Sequence, residues 1–114
     1  MDHTNTSGSK HVHQVLDLIV SNILEFASPT RIWLFGSRAT GEARKFSDFD
    51  IALEGVRLDL RTRRELAEAL DEKLGAMSVD LVELETVDEP LLELICQQGE
   101  VIYDRQTHSS PDPI

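Results

Sequence analysis

Two apolar runs with the composition of β-strands lie on either side of a glycine-serine turn, and this spacing constrains the fold most strongly. Residues 32–35 form the first run, Ile-Trp-Leu-Phe, and residues 49–53 form the second, in which apolar residues alternate. The link between them starts at Gly36-Ser37 and continues through a charged loop. Because it is too short to hold a long crossover helix, the sequence predicts an α/β sandwich rather than a doubly wound parallel sheet.

Two aspartates flank Phe49 at the start of the second apolar run, Asp48 just before the run and Asp50 within it. Alternate residues of a strand point to the same side, so both carboxylates project together while Phe49 and Ile51 enter the core. Aspartate is a poor strand former, and like charges on one face repel each other. A divalent cation removes that repulsion, and Mg²⁺ is commonly held by one or two carboxylates plus substrate phosphate oxygens. The pair therefore predicts a metal site, and the alternative interpretation is a solvated strand face.

A third acid, Asp80, belongs to another β-like run at residues 78–84. We expect this run to lie beside the strand that carries Asp48 and Asp50. Three carboxylates can hold two metal ions, or hold one and accept a proton. Glu83 competes for the role, but its odd separation from Asp80 places it on the opposite face. The alternative for Asp80 is an exposed acid on an amphipathic strand.

Gly36 and Ser37 predict a phosphate-binding turn at the end of the first strand. Glycine lets the backbone approach a ligand closely, and free amides at the start of a helical turn bind phosphate together with the serine hydroxyl. The same two residues are also typical of an ordinary turn with a serine cap, which is compatible with binding. Arg38 is the basic residue best placed to neutralise a triphosphate, although arginines in an acidic chain are often solvated or locally paired.

The composition limits the functions open to the chain. Its 114 residues provide for one domain, and its 21 acidic against 11 Lys and Arg residues give a formal charge of -10. That charge opposes direct binding to nucleic acid or to anionic lipid and favours a basic protein partner. The single cysteine, Cys96, excludes an intramolecular disulfide, and no apolar run has membrane-spanning length. We therefore expect a cytoplasmic protein.

Polar residues 1–10 and 105–114 predict flexible tails around one domain at residues 11–104. An apolar stripe from Val12 to Ile23 predicts a first helix that ends near residue 28. Gly75 closes a second predicted helix at about residues 59–74. Asp88 and Pro90 open a third, which Gly99 ends, before a short strand at residues 101–103.

Residues 36–41 and 47–50, Gly-Ser-Arg-Ala-Thr-Gly and Ser-Asp-Phe-Asp, resemble the signature of the minimal nucleotidyltransferases of the DNA polymerase β superfamily. The resemblance extends over roughly residues 11–104. It implies the polymerase β-like palm, an α/β fold with a mixed sheet and helices packed on one face. Many members of this family are prokaryotic antitoxins encoded beside a HEPN-domain ribonuclease. The resemblance thus implies a cognate HEPN toxin as partner, as a hetero-oligomer.

The resemblance also implies a reaction, in which AMP is transferred from ATP to a tyrosine hydroxyl of the toxin in the presence of Mg²⁺. Metal binding and catalysis are assigned to Asp48, Asp50 and Asp80. Nucleotide binding is assigned to Gly36, Ser37 and Arg38. Two alternatives stay open: a catalytically idle antitoxin that acts by binding alone, and a small-molecule nucleotidyltransferase, for which the chain offers little surface.

Overall fold

The computed structural model describes residues 7–36, 49–75 and 77–108, whose chain forms alternating helices and strands. Within those residues, no helix combines the length and the apolar character needed to cross a lipid bilayer. The elements in chain order are α1 (Ser7–Phe26), β1 (Arg31–Phe35), β2 (Phe49–Glu54), α2 (Leu60–Leu74), β3 (Val79–Glu83), a 3-10 turn (Leu84–Thr86), α3 (Glu89–Gln98), β4 (Glu100–Asp104) and the short α4 (Arg105–His108).

The four described strands form one mixed sheet in the order β3-β2-β1-β4. Strand β1 pairs antiparallel with both β2 and β4, whereas β2 and β3 run parallel. The antiparallel β1–β2 pair agrees with the short link between them, and α2 supplies the crossover that a parallel pair needs. Strands β3 and β4 are therefore the two edges of the sheet.

One face of the sheet packs against α1 and α2 to form the main core. Alternating residues of the central strands point toward this side and are almost completely shielded from solvent, including Ile32, Phe49 and Ile51. The apolar stripe predicted from the sequence supplies the helical half of the core. The buried members of this cluster are Val15, Leu16, Ile19, Ile23, Ile32, Leu34, Phe49, Ile51, Leu53, Leu66, Leu70 and Tyr103.

The opposite face is covered in part by α3, a contact that the sequence did not predict. Ile95 is fully buried against Phe35 and Ala52, and Leu91 packs beside them. Helix α3 starts beyond the carboxyl end of β3 and ends at Gly99, beside the carbonyl oxygen of Leu34. It therefore crosses this face diagonally. The predicted fold class, a mixed sheet with helices, is confirmed, with this third helix on the second face because Ile95 finds apolar partners there.

Local capping signals explain where α2 and α3 begin and end. The Asp59 carboxylate accepts a 2.7 Å hydrogen bond from the backbone N–H of Thr62, and Asp88 accepts one from Leu91 N at 3.3 Å. Such caps satisfy backbone donors that the first turn leaves unpaired. Gly75 ends α2 at a positive φ of 64°, as predicted.

The first and last helices extend a few residues into the segments predicted as tails. Helix α1 begins at Ser7, inside the segment predicted as a tail, and Arg105–His108 form a helical turn after β4. Asp104 accepts a hydrogen bond from the N–H of Gln106, and Arg105 N donates to the Thr30 carbonyl oxygen. Polar sequences at both ends lack the apolar periodicity by which sequence reasoning recognises a helix. The division into two tails and one domain stays a prediction.

Candidate active site

Asp50 and Asp80 lie directly opposite each other on neighbouring strands. They are Cα partners in the parallel β2–β3 ladder, so their side chains project from the same face of the sheet. Adjacent strands are about 4.8 Å apart, a spacing that lets one cation contact both carboxylates. Asp80 is exposed and Asp50 is partly buried. We refer to Asp50 and Asp80 together as the acid corner.

Gly36 lies against the acid corner at the end of β1. Its φ of 77° is in the region that favours glycine, and a Cβ built there would overlap the Asp50 oxygen Oδ2 and lie 3.1 Å from its Cγ. Phe35, the residue before it, is the register partner of Asp50 in β2. The turn and the carboxylate are thus in contact, so a side chain at position 36 would displace one of the predicted ligands.

The predicted site residues Asp48, Ser37 and Arg38 lie outside the described residues. Among the residues that the structure describes, no group of three or more histidine, cysteine, aspartate or glutamate side chains is arranged to hold a metal ion. The described part of the predicted site therefore consists of Gly36, Asp50 and Asp80. Their roles in binding and catalysis stay predictions.

A second group of acids occupies the far end of the same sheet face, where it is paired with one arginine. Arg31 lies between Glu54 and Asp104 in the register, and its guanidinium contacts them at 3.3 Å and 3.2 Å. The indole N–H of Trp33 also donates to Glu54 Oε1 at 2.9 Å. The hydrogen bond to Asp104 and the charge of Glu54 raise the pKa of Arg31. We call these four residues the Arg31 cluster, and their contacts are structural.

Glu83 points away from Asp80, as the odd separation predicted, and is only 6% exposed. Its carboxylate accepts hydrogen bonds from the backbone N–H of Leu58 at 2.8 Å and from Arg63 Nη2 at 3.2 Å, and it pairs with Arg57 at 3.4 Å. This network was not predicted from the sequence. The one available signal was an acid on the apolar side of β3, which needs a buried partner.

Two other reactive side chains and two surface cavities lie away from the acid corner. Cys96 and His13 are exposed on α3 and α1. A surface cavity of about 270 Å³ lies between α2 and the start of β3, and another of about 320 Å³ lies between α1 and β4. Neither cavity is lined by Asp50 or Asp80.

Comparison with known families agrees with this geometry. The family model for polymerase beta nucleotidyltransferases matches residues 19–108, a range that includes β1, β2 and β3 with the acid corner. The chain belongs to this nucleotidyltransferase family. Its described sheet, with acids on adjacent strands beside a glycine turn, is therefore the nucleotidyltransferase palm.

Among curated proteins, the chain is 37% identical over 90 residues to the probable protein adenylyltransferase MntA of Haemophilus influenzae, covering 77% of this nucleotidyltransferase and 79% of the relative. Among solved structures, it resembles a chain of a toxin–antitoxin crystal structure with AMP-PNP, with a TM-score of 0.67, 32% identity and coverage of 78% of this chain and 73% of that one.

A second similar structure is that of a tri-AMPylated Shewanella oneidensis HEPN toxin in complex with an MNT antitoxin. Its TM-score is 0.65 at 28% identity, with coverage of 83% of this nucleotidyltransferase and 74% of the matched chain. The chain also resembles a minimal nucleotidyltransferase at a TM-score of 0.62 and 26% identity, covering 86% of this chain and 98% of that one. These matches extend over most of the lengths compared.

Proposed function

We propose that this nucleotidyltransferase is an antitoxin that transfers AMP from ATP to a hydroxyl, a tyrosine, of a cognate HEPN ribonuclease and thereby neutralises it. The observation that carries the proposal is the register of Asp50 with Asp80 beside the Gly36 turn. A protein that acts by binding alone has no need of two aspartates opposed on one face. The resemblance to MntA and to complexes of HEPN toxins with their antitoxins supplies the substrate class and the partner.

The described residues fit a Mg²⁺ site. Carboxylate oxygens are the ligands this hard cation prefers, and the mutual repulsion of Asp50 and Asp80 is relieved when a cation lies between them. We assign metal binding to Asp48, Asp50 and Asp80, with Asp48 carried over from the family motif. Bound Mg²⁺ would neutralise phosphate charge and polarise the phosphoryl oxygens.

Each residue of the site has its own role in this proposal. Asp80, the more exposed acid, accepts the proton of the attacking hydroxyl. The hydroxyl oxygen forms a bond to the α-phosphorus of ATP while the bond to the bridging oxygen of the β-phosphate breaks, and pyrophosphate leaves. Gly36 allows the phosphates to approach the backbone, with Ser37 donating a hydrogen bond and Arg38 adding positive charge.

The partner is bound through the protein surface around this site. The net charge of -10 favours a basic protein, and the exposure of Asp80 gives an acceptor side chain access to its carboxylate. We expect the complex to be a hetero-oligomer that forms in the cytoplasm, where ATP is available. Inhibition by binding alone is the competing mode, because an acidic surface can also cover a basic RNA-binding groove.

The decisive experiment uses this protein in substoichiometric amounts relative to the toxin. A catalyst turns over, whereas a partner that only covers the toxin does not. The HEPN ribonuclease encoded by the neighbouring gene is incubated with one tenth of its molar amount of this protein, with and without ATP and Mg²⁺. We expect full loss of RNA cleavage only with ATP, together with a gain in toxin mass in multiples of AMP.

The matched control is the Asp48→Asn, Asp50→Asn double variant, which should bind the toxin without modifying it. Inhibition that requires a full molar equivalent and leaves the toxin mass unchanged would contradict the enzymatic proposal. That outcome would identify the protein as a binding antitoxin.

A further inference from the structure

Asp80 lies on an edge strand, which leaves its position weakly determined by the sheet itself. Strand β3 hydrogen bonds to β2 on one side and has no strand beyond it among the described residues. Register in such a strand depends on side-chain contacts, and slippage by one residue would turn Asp80 to the opposite face. A residue that fixes β3 would therefore also fix the distance between the two acids.

Arg63 of α2 makes two contacts with β3, one with its backbone and one with a side chain. Its Nη1 donates to the Leu81 carbonyl oxygen at 2.9 Å, and its Nη2 donates to Glu83 at 3.2 Å. The Ser78 carbonyl accepts a bond from Phe49 N in β2, and hydrogen bonding to one neighbour alternates along a strand. The Leu81 carbonyl, three residues on, thus faces away from β2. Arg63 occupies an acceptor on the open edge of the sheet.

Glu83 connects Arg63 to another segment of the chain. It is buried, and it joins Arg63 to the backbone of Leu58 in the segment between β2 and α2. The guanidinium can make both contacts at once because its donors are held in one rigid plane. Arg63 and Glu83 together connect β3 to the segment that follows β2. We call this pair the edge clamp.

We infer that the edge clamp is a positioning device for catalysis, in which Arg63 and Glu83 hold β3 in the register that keeps Asp80 opposite Asp50. The inference rests on the proposed role of Asp80 in AMP transfer. Neither clamp residue touches the acid corner, since Glu83 projects from the other face of the sheet. Both act through the strand, and their loss should lower turnover more than nucleotide affinity.

The test compares two variants with a matched control on the same helix. Arg63→Gln removes the paired donors, and Arg63→Lys keeps the charge but cannot contact Leu81 and Glu83 together. The control is Arg61→Gln, because Arg61 has a side chain 86% exposed and pairs only with Glu65 among the described residues. The full-length protein is used throughout, and melting temperatures are recorded for each variant so that unfolding is recognised directly.

We expect Arg63→Gln to lower kcat for AMP transfer about ten- to a hundredfold with KM for ATP changed less than about twofold, a range typical of residues that orient metal ligands. Arg63→Lys should restore little of this loss, and Arg61→Gln should behave like the natural protein. Amide hydrogen exchange at Asp80 and Val82, whose N–H groups face β2 in this register, should become faster in Arg63→Gln. Mn²⁺ affinity, measured by electron paramagnetic resonance on the protein without nucleotide, should fall with it.

Introducing Arg63→Gln into the Asp80→Asn variant separates the role of the edge clamp from the proposed role of Asp80. There, Arg63→Gln should cause no further loss of the residual transfer. Unchanged kcat, unchanged exchange at Asp80 and Val82, or an equal loss in both backgrounds would overturn the clamp. Full activity of Asp80→Asn alone would instead overturn the proposed role of Asp80, and the exchange measurement would still test the clamp.

Discussion

One face of the sheet carries acids at both of its ends, and the two groups are held in opposite ways. In the Arg31 cluster, Glu54 and Asp104 flank an arginine, and Glu54 also accepts a hydrogen bond from Trp33. In the acid corner, Asp50 and Asp80 face each other, and no ion pair of Asp80 is found with residues 7–36, 49–75 or 77–108. An acid paired with an arginine contributes to stability, whereas two acids opposed on neighbouring strands repel each other.

Substitution of one acid from each group gives the largest expected contrast. Asp80→Asn should reduce AMP transfer about a thousandfold, or about 4 kcal/mol of transition-state stabilisation, because the proton acceptor and a metal ligand are lost together. Its melting temperature should stay constant or rise, since repulsion from Asp50 disappears. Single-turnover transfer of labelled AMP and thermal unfolding provide the measurements.

The matched variant at the other end is Glu54→Gln. It should keep kcat within about twofold of the natural protein and lower the melting temperature, because Arg31 and Trp33 lose a charged partner. If Glu54→Gln lost transfer as severely as Asp80→Asn, the division of this face into a structural and a functional end would be wrong.

Two glycines with positive φ, Gly36 beside the acid corner and Gly75 at the end of α2, allow a functional position to be compared with a structural one. Gly36→Ala and Gly75→Ala should each destabilise the fold by about 1–2 kcal/mol, because both place a side chain in the left-handed region. A Cβ at position 36 would overlap the Asp50 carboxylate, but one at position 75 has no described atom within 4 Å. Transfer should therefore fall about a hundredfold only in Gly36→Ala.

Urea unfolding and kcat/KM for ATP separate these two effects. Equal stability losses with unequal activity losses would support the close approach of Gly36 to the site. Equal activity losses in both variants would mean that general destabilisation, and not displacement of Asp50, explains the effect.

The sequence predicted the elements that local signals define. β1 contains the predicted run at residues 32–35, and α2 lies between Asp59 and the positive-φ Gly75 close to the expected range. Simple alternation also placed Asp80 and Glu83 on opposite faces. These features depend on residues a few positions apart, for which period and capping chemistry are sufficient.

The features that sequence reasoning missed depend on distant partners. Arg31 and Asp104 are 73 positions apart, and Arg63 and Glu83 are 20 apart, so no local pattern pairs them. The burial of Ile95 on the second face likewise depends on Phe35 and Ala52, which the sheet brings together. At the site, Gly36, Asp50 and Asp80 are brought together as expected, while Asp48, Ser37 and Arg38 lie outside the described residues.

A smaller effect is expected within the Arg31 cluster. Trp33→Phe removes the indole donor to Glu54 and keeps most of the apolar ring. The loss should be about 1 kcal/mol, or about 4 °C in melting temperature for a chain of this size, with transfer unchanged. A double-mutant cycle with Glu54→Ala, which removes the acceptor oxygens, should recover most of that energy as coupling. Coupling near zero would mean that the 2.9 Å hydrogen bond contributes little to stability.

The smallest expected effect concerns Asp59, an acid whose structural role should be visible as a pH dependence. The hydrogen bond from Thr62 N–H holds the pKa of Asp59 below its usual range. Since the pKa of Asp59 is lower in the folded state than in the unfolded state, the cap stabilises the protein fully above the unfolded-state pKa. This stabilisation is lost as the pH falls through the folded-state pKa.

The melting temperature of Asp59→Ala should thus lie below that of the natural protein at pH 7, and the difference between the two should narrow below about pH 4. Asp88→Ala is the control and should cost less at pH 7, because its bond to Leu91 N is longer at 3.3 Å. A gap that stays constant down to about pH 2.5 would show that the charge of Asp59 does not stabilise α2.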